Sequence, residues 1–173
     1  MTDLQKPILK PVKVPWQVTS AVPYLKVVLD ETGMIEASFY ANVLKVVSNR
    51  EENSMEVPDL EDEARVVVTF RGAYLLASHT GGDGENSFNY NDFDTTLIKL
   101  SVPDSDYVRW GLEFRKQWLT TQFCPDPNMY EVINTRWSPA IGGYEEGYVH
   151  YIILGEQIYV DIMARDWSWA FAQ

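Results

Sequence analysis

Apolar and polar side chains alternate clearly in the run 35–47. Ile35, Ala37, Phe39, Ala41 and Val43 share one side of an extended chain, and Glu36, Ser38 and Asn42 share the other. That period of two marks a strand covered on one face. Residues 24–29 precede it across Asp30-Glu31-Thr32-Gly33, a hairpin signal with Gly33 available for positive φ. Over 59–79 two patterns compete. Asp59 could cap a helix starting at Leu60, but the run Val66-Val67-Val68-Thr69-Phe70 is β-branched and aromatic. Strand, bulged at Gly72, is the preferred reading.

A polar loop over 81–94 leads to an expected strand at 95–102. One long helix is expected over about 104–122, opened by Asp104 and Asp106 and closed by Cys124-Pro125-Asp126-Pro127. Tyr107, Trp110, Phe114 and Trp118 form its apolar stripe, flanked by Val108, Leu112 and Leu119, with Arg109, Glu113, Lys116 and Thr120 opposite. Strands follow at 129–137, 148–154 and 157–164. Pro7, Pro11, Pro15 and Pro23 stop helix or long paired strand over residues 1–23, which read as an extended arm anchored by Trp16. The fold class is therefore α+β and β-rich: a curved antiparallel sheet with the helix packed on one face, in one domain spanning 1–173.

The last hairpin allows a register to be written. Gly155 stands first in the two-residue loop Gly155-Glu156, as a type II′ turn prefers. Leu154 then faces Gln157, Ile152 faces Tyr159, His150 faces Asp161, and Glu146 faces Arg165. One face is apolar, and the other carries Tyr148, His150, Tyr159, Asp161 and Arg165.

Composition narrows the function classes. The 173 residues are 46% hydrophobic and 23% charged, which suits a globular domain and excludes wholesale disorder. No apolar run is long enough to cross a membrane, and no signal-peptide pattern is visible at the N-terminus. Cys124 is the single cysteine, so no intrachain disulfide is expected, and a reducing, cytoplasmic setting follows. A formal net charge of -11 disfavours binding to a phosphate backbone and favours a basic partner, or merely good solubility.

His150 and Asp161 are the candidate acid–base pair, with Tyr148, Tyr159 and Arg165 as candidate ligand-binding neighbours. The competing reading is a cross-strand polar pair on a solvated face. No G-x-S-x-G or other nucleophile motif accompanies them. Gly81-Gly82-Asp83-Gly84-Glu85-Asn86-Ser87-Phe88-Asn89 resembles a calcium-binding nonapeptide, but a single copy cannot share an ion between turns. With only His79 and His150, and no H-E-x-x-H spacing, neither zinc nor another cofactor is expected. Trp137, Tyr144, Trp167 and Trp169 are candidate interface aromatics, or else core.

Two functions remain. The first is a non-catalytic acidic interaction domain binding a protein partner, whether a basic protein or a second copy of the chain. The second is a small-molecule-binding or catalytic cup built around His150 and Asp161. An enclosed pocket on the polar face of the last hairpin would favour the cup, and an open face the interaction domain.

Overall fold

The computed structural model describes residues 6–19, 25–44, 62–80, 88–98, 100, 105–135, 147–155 and 158–172. Ten strands, a short 3-10 helix and one α-helix are found among them. The strands are β1 (Ile8–Pro11), β2 (Trp16–Val18), β3 (Leu25–Leu29), β4 (Ile35–Val43), β5 (Asp62–Arg71), β6 (Tyr74–Thr80), β7 (Met129–Ile133), β8 (Val149–Leu154), β9 (Ile158–Ala164) and β10 (Asp166–Phe171). The helix α1 spans Tyr107–Thr121.

The fold is α+β, with antiparallel sheets and one α-helix among the described residues, but the strands make two sheets. One runs β1-β7-β8-β9-β6. The other runs β10-β5-β4, with β2 and β3 sharing the free side of β4. Burial follows the alternation. Ile35, Ala37, Phe39 and Ala41 of β4 and Val66, Val68 and Phe70 of β5 meet Met129, Tyr151, Ile153, Val160 and Ile162 from the other sheet in one apolar cluster. The main core therefore lies between the sheets.

The two sheets are joined at a corner. β5 passes into β6 through Gly72, whose φ of 53° needs no Cβ, and β9 passes into β10 through Arg165. Arg71 faces Asp166 before the corner and Tyr74 faces Met163 beyond it, so one register runs through the bend. A bulge between Leu75 and Ala77 interrupts it later. Where they are described, residues 59–79 are thus strand on both sides of the Gly72–Ala73 corner, and not helix.

On the other side, the proline-spaced N-terminal segment passes from sheet to sheet. β1 pairs β7, and Val12 N–H donates to Met129 O at 3.2 Å. Cys124 N–H then donates to Val14 O at 2.8 Å, and Val18 N–H to Pro127 O at 3.0 Å, before β2 pairs β4. Trp16 is wholly buried there, edge-on to Phe39 and Trp169.

The helix starts where the Asp106 side chain accepts from Arg109 N–H at 3.0 Å and ends at Gln122, held left-handed at φ 61°. Only Phe114 and Trp118 of its expected stripe are buried, packed with Cys124, Leu44 and Leu100. The expected strand at 95–102 is not formed where described. Ile98 N–H donates to Thr95 O and Thr96 N–H to the Asp94 carboxylate, which makes a turn.

Candidate functional site

The last hairpin forms, but two residues out of the expected register. His150 pairs with Met163 and Asp161 with Ile152, and Gly155 N–H donates to Ile158 O at 2.7 Å. Gly155 therefore faces Ile158 just beyond β8 and is not the first turn residue, and its φ is not positive. Its glycine has another cause: a Cβ would stand 3.0 Å from Ile158 O and 3.3 Å from Leu25 Cβ. Because side chains alternate with period two, a two-residue slip leaves every side chain on its expected face.

His150 and Asp161 therefore still meet, diagonally. His150 Nε2 lies 2.8 Å from Asp161 Oδ1, and the side chains are 3% and 8% exposed. The solvated polar face expected from the sequence is thus a buried one at this pair. A third member was missed. Thr135 lies just beyond β7, after Asn134 at φ 56°, and its Oγ1 is 2.8 Å from His150 Nδ1. With a carboxylate on Nε2, that nitrogen carries the proton, and the Nδ1 of a neutral ring accepts from the Thr135 hydroxyl. A charged ring would donate to both. No spacing rule in the sequence links Thr135 to His150, because the contact depends on the left-handed turn at Asn134.

Hydroxyl, imidazole and carboxylate in sequence are the components of an activated nucleophile. The neighbouring candidates do not converge on them. Tyr148 packs at a tilt on Tyr74, 5.5 Å between ring centres, beneath the Arg165 guanidinium, 4.8 Å from the ring, at the corner end of the sheet. Tyr159 is packed edge-on to Phe88, 5.2 Å away, in a second apolar cluster with Tyr130, Ile152 and Leu154. Six residue steps of extended chain separate Tyr159 from Arg165, about 20 Å. The candidates form a strip along β8 and β9, with His150 and Asp161 buried midway.

A second buried polar group lies on β7. Tyr130 Oη donates to the Asp126 carboxylate and lies 3.4 Å from Tyr90 Oη. Burial pushes the Asp126 carboxyl up, against the opposing effect of the Tyr130 hydroxyl, and pushes the Tyr130 phenol up as well. Burial also raises the Cys124 thiol, which leaves it protonated and unreactive.

Trp167 and Trp169 are half-buried on β10 and pack against the main core, Trp167 edge-on to Tyr151. Trp137, Tyr144 and the acidic stretch 51–61 lie outside the described residues, as does the glycine-rich stretch 81–87. Among the described residues no cluster of three or more His, Cys, Asp or Glu could hold a metal ion, and no helix is long and apolar enough to cross a membrane.

Among the described residues, α1 carries five exposed large apolar side chains: Tyr107, Val108, Trp110, Leu112 and Leu119. At about 100° per residue, Phe114 and Trp118 point one way, and Val108, Leu112 and Leu119 form a ridge about 120° around the helix. Val108 is 76% exposed, Leu112 41% and Leu119 38%, and Phe123, past the helix end, is exposed as well. Beyond the ridge, Arg109, Glu113, Lys116 and Thr120 line an open groove of about 480 Å³. No protein-family model, curated protein or solved structure matches the chain.

Proposed function

We propose that the protein is a non-catalytic, acidic interaction domain that engages a protein partner through the exposed flank of α1. The observation that carries this reading is the ridge of Val108, Leu112 and Leu119, three large apolar side chains in line on a helix that buries Phe114 and Trp118 on another side. Scattered exposed apolar residues are ordinary, but an aligned set marks a contact surface. The burial of His150 and Asp161 supports the non-catalytic half, since a base closed from solvent has no approach for substrate. The net charge of -11 supports solubility and charge-selective association, and the lone buried cysteine supports a cytoplasmic setting.

The test uses the full chain, wild type and Val108→Asp/Leu119→Asp, as bait in extract of the native host. A protein held by wild type and lost from the variant is then purified, and its affinity for both is measured. Identical recovery by both baits contradicts the reading.

Acid–base catalysis is the second reading, favoured by the Thr135 hydroxyl on the His150 ring. It requires that ester hydrolysis by the purified chain be measurable and be lost in Thr135→Val.

A further inference from the structure

The charges beside the ridge specify a partner more narrowly. In a chain with 25 acidic and 14 basic side chains, α1 reverses the balance, with Arg109, Arg115 and Lys116 against Glu113 alone. None of the three cations makes an ion pair among the described residues. Their positions follow from helical geometry. At about 100° per residue, Arg115 falls on one side of the ridge, and Lys116 and Arg109 fall on the other. The apolar line thus has one cation, Arg115, on one side and two, Lys116 and Arg109, on the other. It runs from Val108 to Leu119, about 16 Å of helix or three turns.

We infer that this surface receives an amphipathic helix of another protein, with its apolar seam on Val108, Leu112 and Leu119 and acidic residues flanking the seam. The inference rests on the reading of the chain as an interaction domain. Flanking charges of opposite sign set partner choice and orientation between packed helices, as they do in coiled coils. A second copy of this chain fits poorly: a symmetric α1-on-α1 contact would oppose cation to cation and bring together two bodies of net charge -11. An anionic membrane also fits poorly, because it faces the whole protein and not α1 alone, and Phe114 and Trp118 are already committed inward. A contact three turns long falls in the small, transient class of interfaces.

The test is fluorescence anisotropy with the full chain and three labelled synthetic peptides of about 18 residues, or about 27 Å of helix. One has a leucine seam flanked by glutamate, one the same seam flanked by lysine, and one is a scramble of the first. Binding of the glutamate-flanked peptide alone is expected. It should weaken at least tenfold in Leu112→Glu and in Arg115→Glu/Lys116→Glu, with wild-type circular dichroism and melting retained. It should also weaken as salt rises.

Failure of the glutamate-flanked peptide to bind, or equal binding of the lysine-flanked one, overturns the inference. If a host protein is still held through the ridge in the test above, the interaction reading survives and only the partner class is wrong. Sedimentation with phosphatidylglycerol vesicles, without binding of the glutamate-flanked peptide, would assign the surface to a membrane and overturn the inference as well.

Discussion

His150 and Asp161 are joined by a 2.8 Å hydrogen bond although neither is the other's ladder partner: the contact is diagonal, from β8 to the residue of β9 that pairs with Ile152. Diagonal neighbours stand about 7–8 Å apart at the backbone, a gap that an imidazole can span and a shorter side chain cannot. With Thr135 on the opposite ring nitrogen, the imidazole ties the chain just beyond β7 to the β8–β9 hairpin.

That tie should show in stability. An exposed pair would contribute only a few tenths of a kcal/mol, but these groups are buried. Asp161→Asn and Thr135→Val should each cost about 1–3 kcal/mol. Urea unfolding of each variant checks this, and a cost within the few tenths expected of an exposed pair would contradict the buried tie.

Gly155→Ala tests the corrected hairpin. The added methyl meets Ile158 O and Leu25 Cβ at 3.0 and 3.3 Å, so a loss of about 1–3 kcal/mol is expected from overpacking, even though the backbone conformation admits alanine. A neutral or stabilising result would mean that β3 and the hairpin end do not approach so closely.

Much of this was legible beforehand, and the parts that were not share a cause. The face of every residue in β4, β8 and β9 followed from period two, and the Asp106 cap with the apolar spacing marked α1. Register was lost at Gly155 because a glycine tolerated for close approach looks the same in sequence as one needed for positive φ. The second sheet was missed because its junction is a bend at Gly72 inside what reads as one strand. Thr135 was missed because its partner is brought to it by a left-handed turn and not by spacing. Burial of the His150–Asp161 face is likewise a property of the tertiary packing around the sheet.

Two carboxyls should tilt stability in opposite directions with pH. The Thr32 hydroxyl, then the Met34 N–H, hold the Asp30 carboxyl below the usual range in its turn. Its contribution is present above the ordinary aspartate range and lost as pH falls through the lowered value. Asp126, raised by burial, contributes most when protonated, and that contribution is lost as pH rises through the raised value. Asp30→Asn should therefore remove part of the acid-side loss. Asp126→Asn should be no less stable than wild type at neutral pH and should remove part of the decline as pH rises above the aspartate range. Urea midpoints from about pH 2 to 7 would show both slopes, and an unchanged slope in either variant would contradict that assignment.

In the proposed function, contact is made by the ridge of α1 and not by the buried histidine. The most direct measurement is calorimetric titration of a partner purified through the ridge test against wild type, Leu119→Glu and Asp161→Asn. At least a tenfold loss of affinity is expected for Leu119→Glu, whose side chain is partly exposed and whose change should leave folding intact, and near-wild-type binding for Asp161→Asn once its folded fraction is matched. Unchanged affinity in Leu119→Glu, with binding abolished in folded Asp161→Asn, would contradict it.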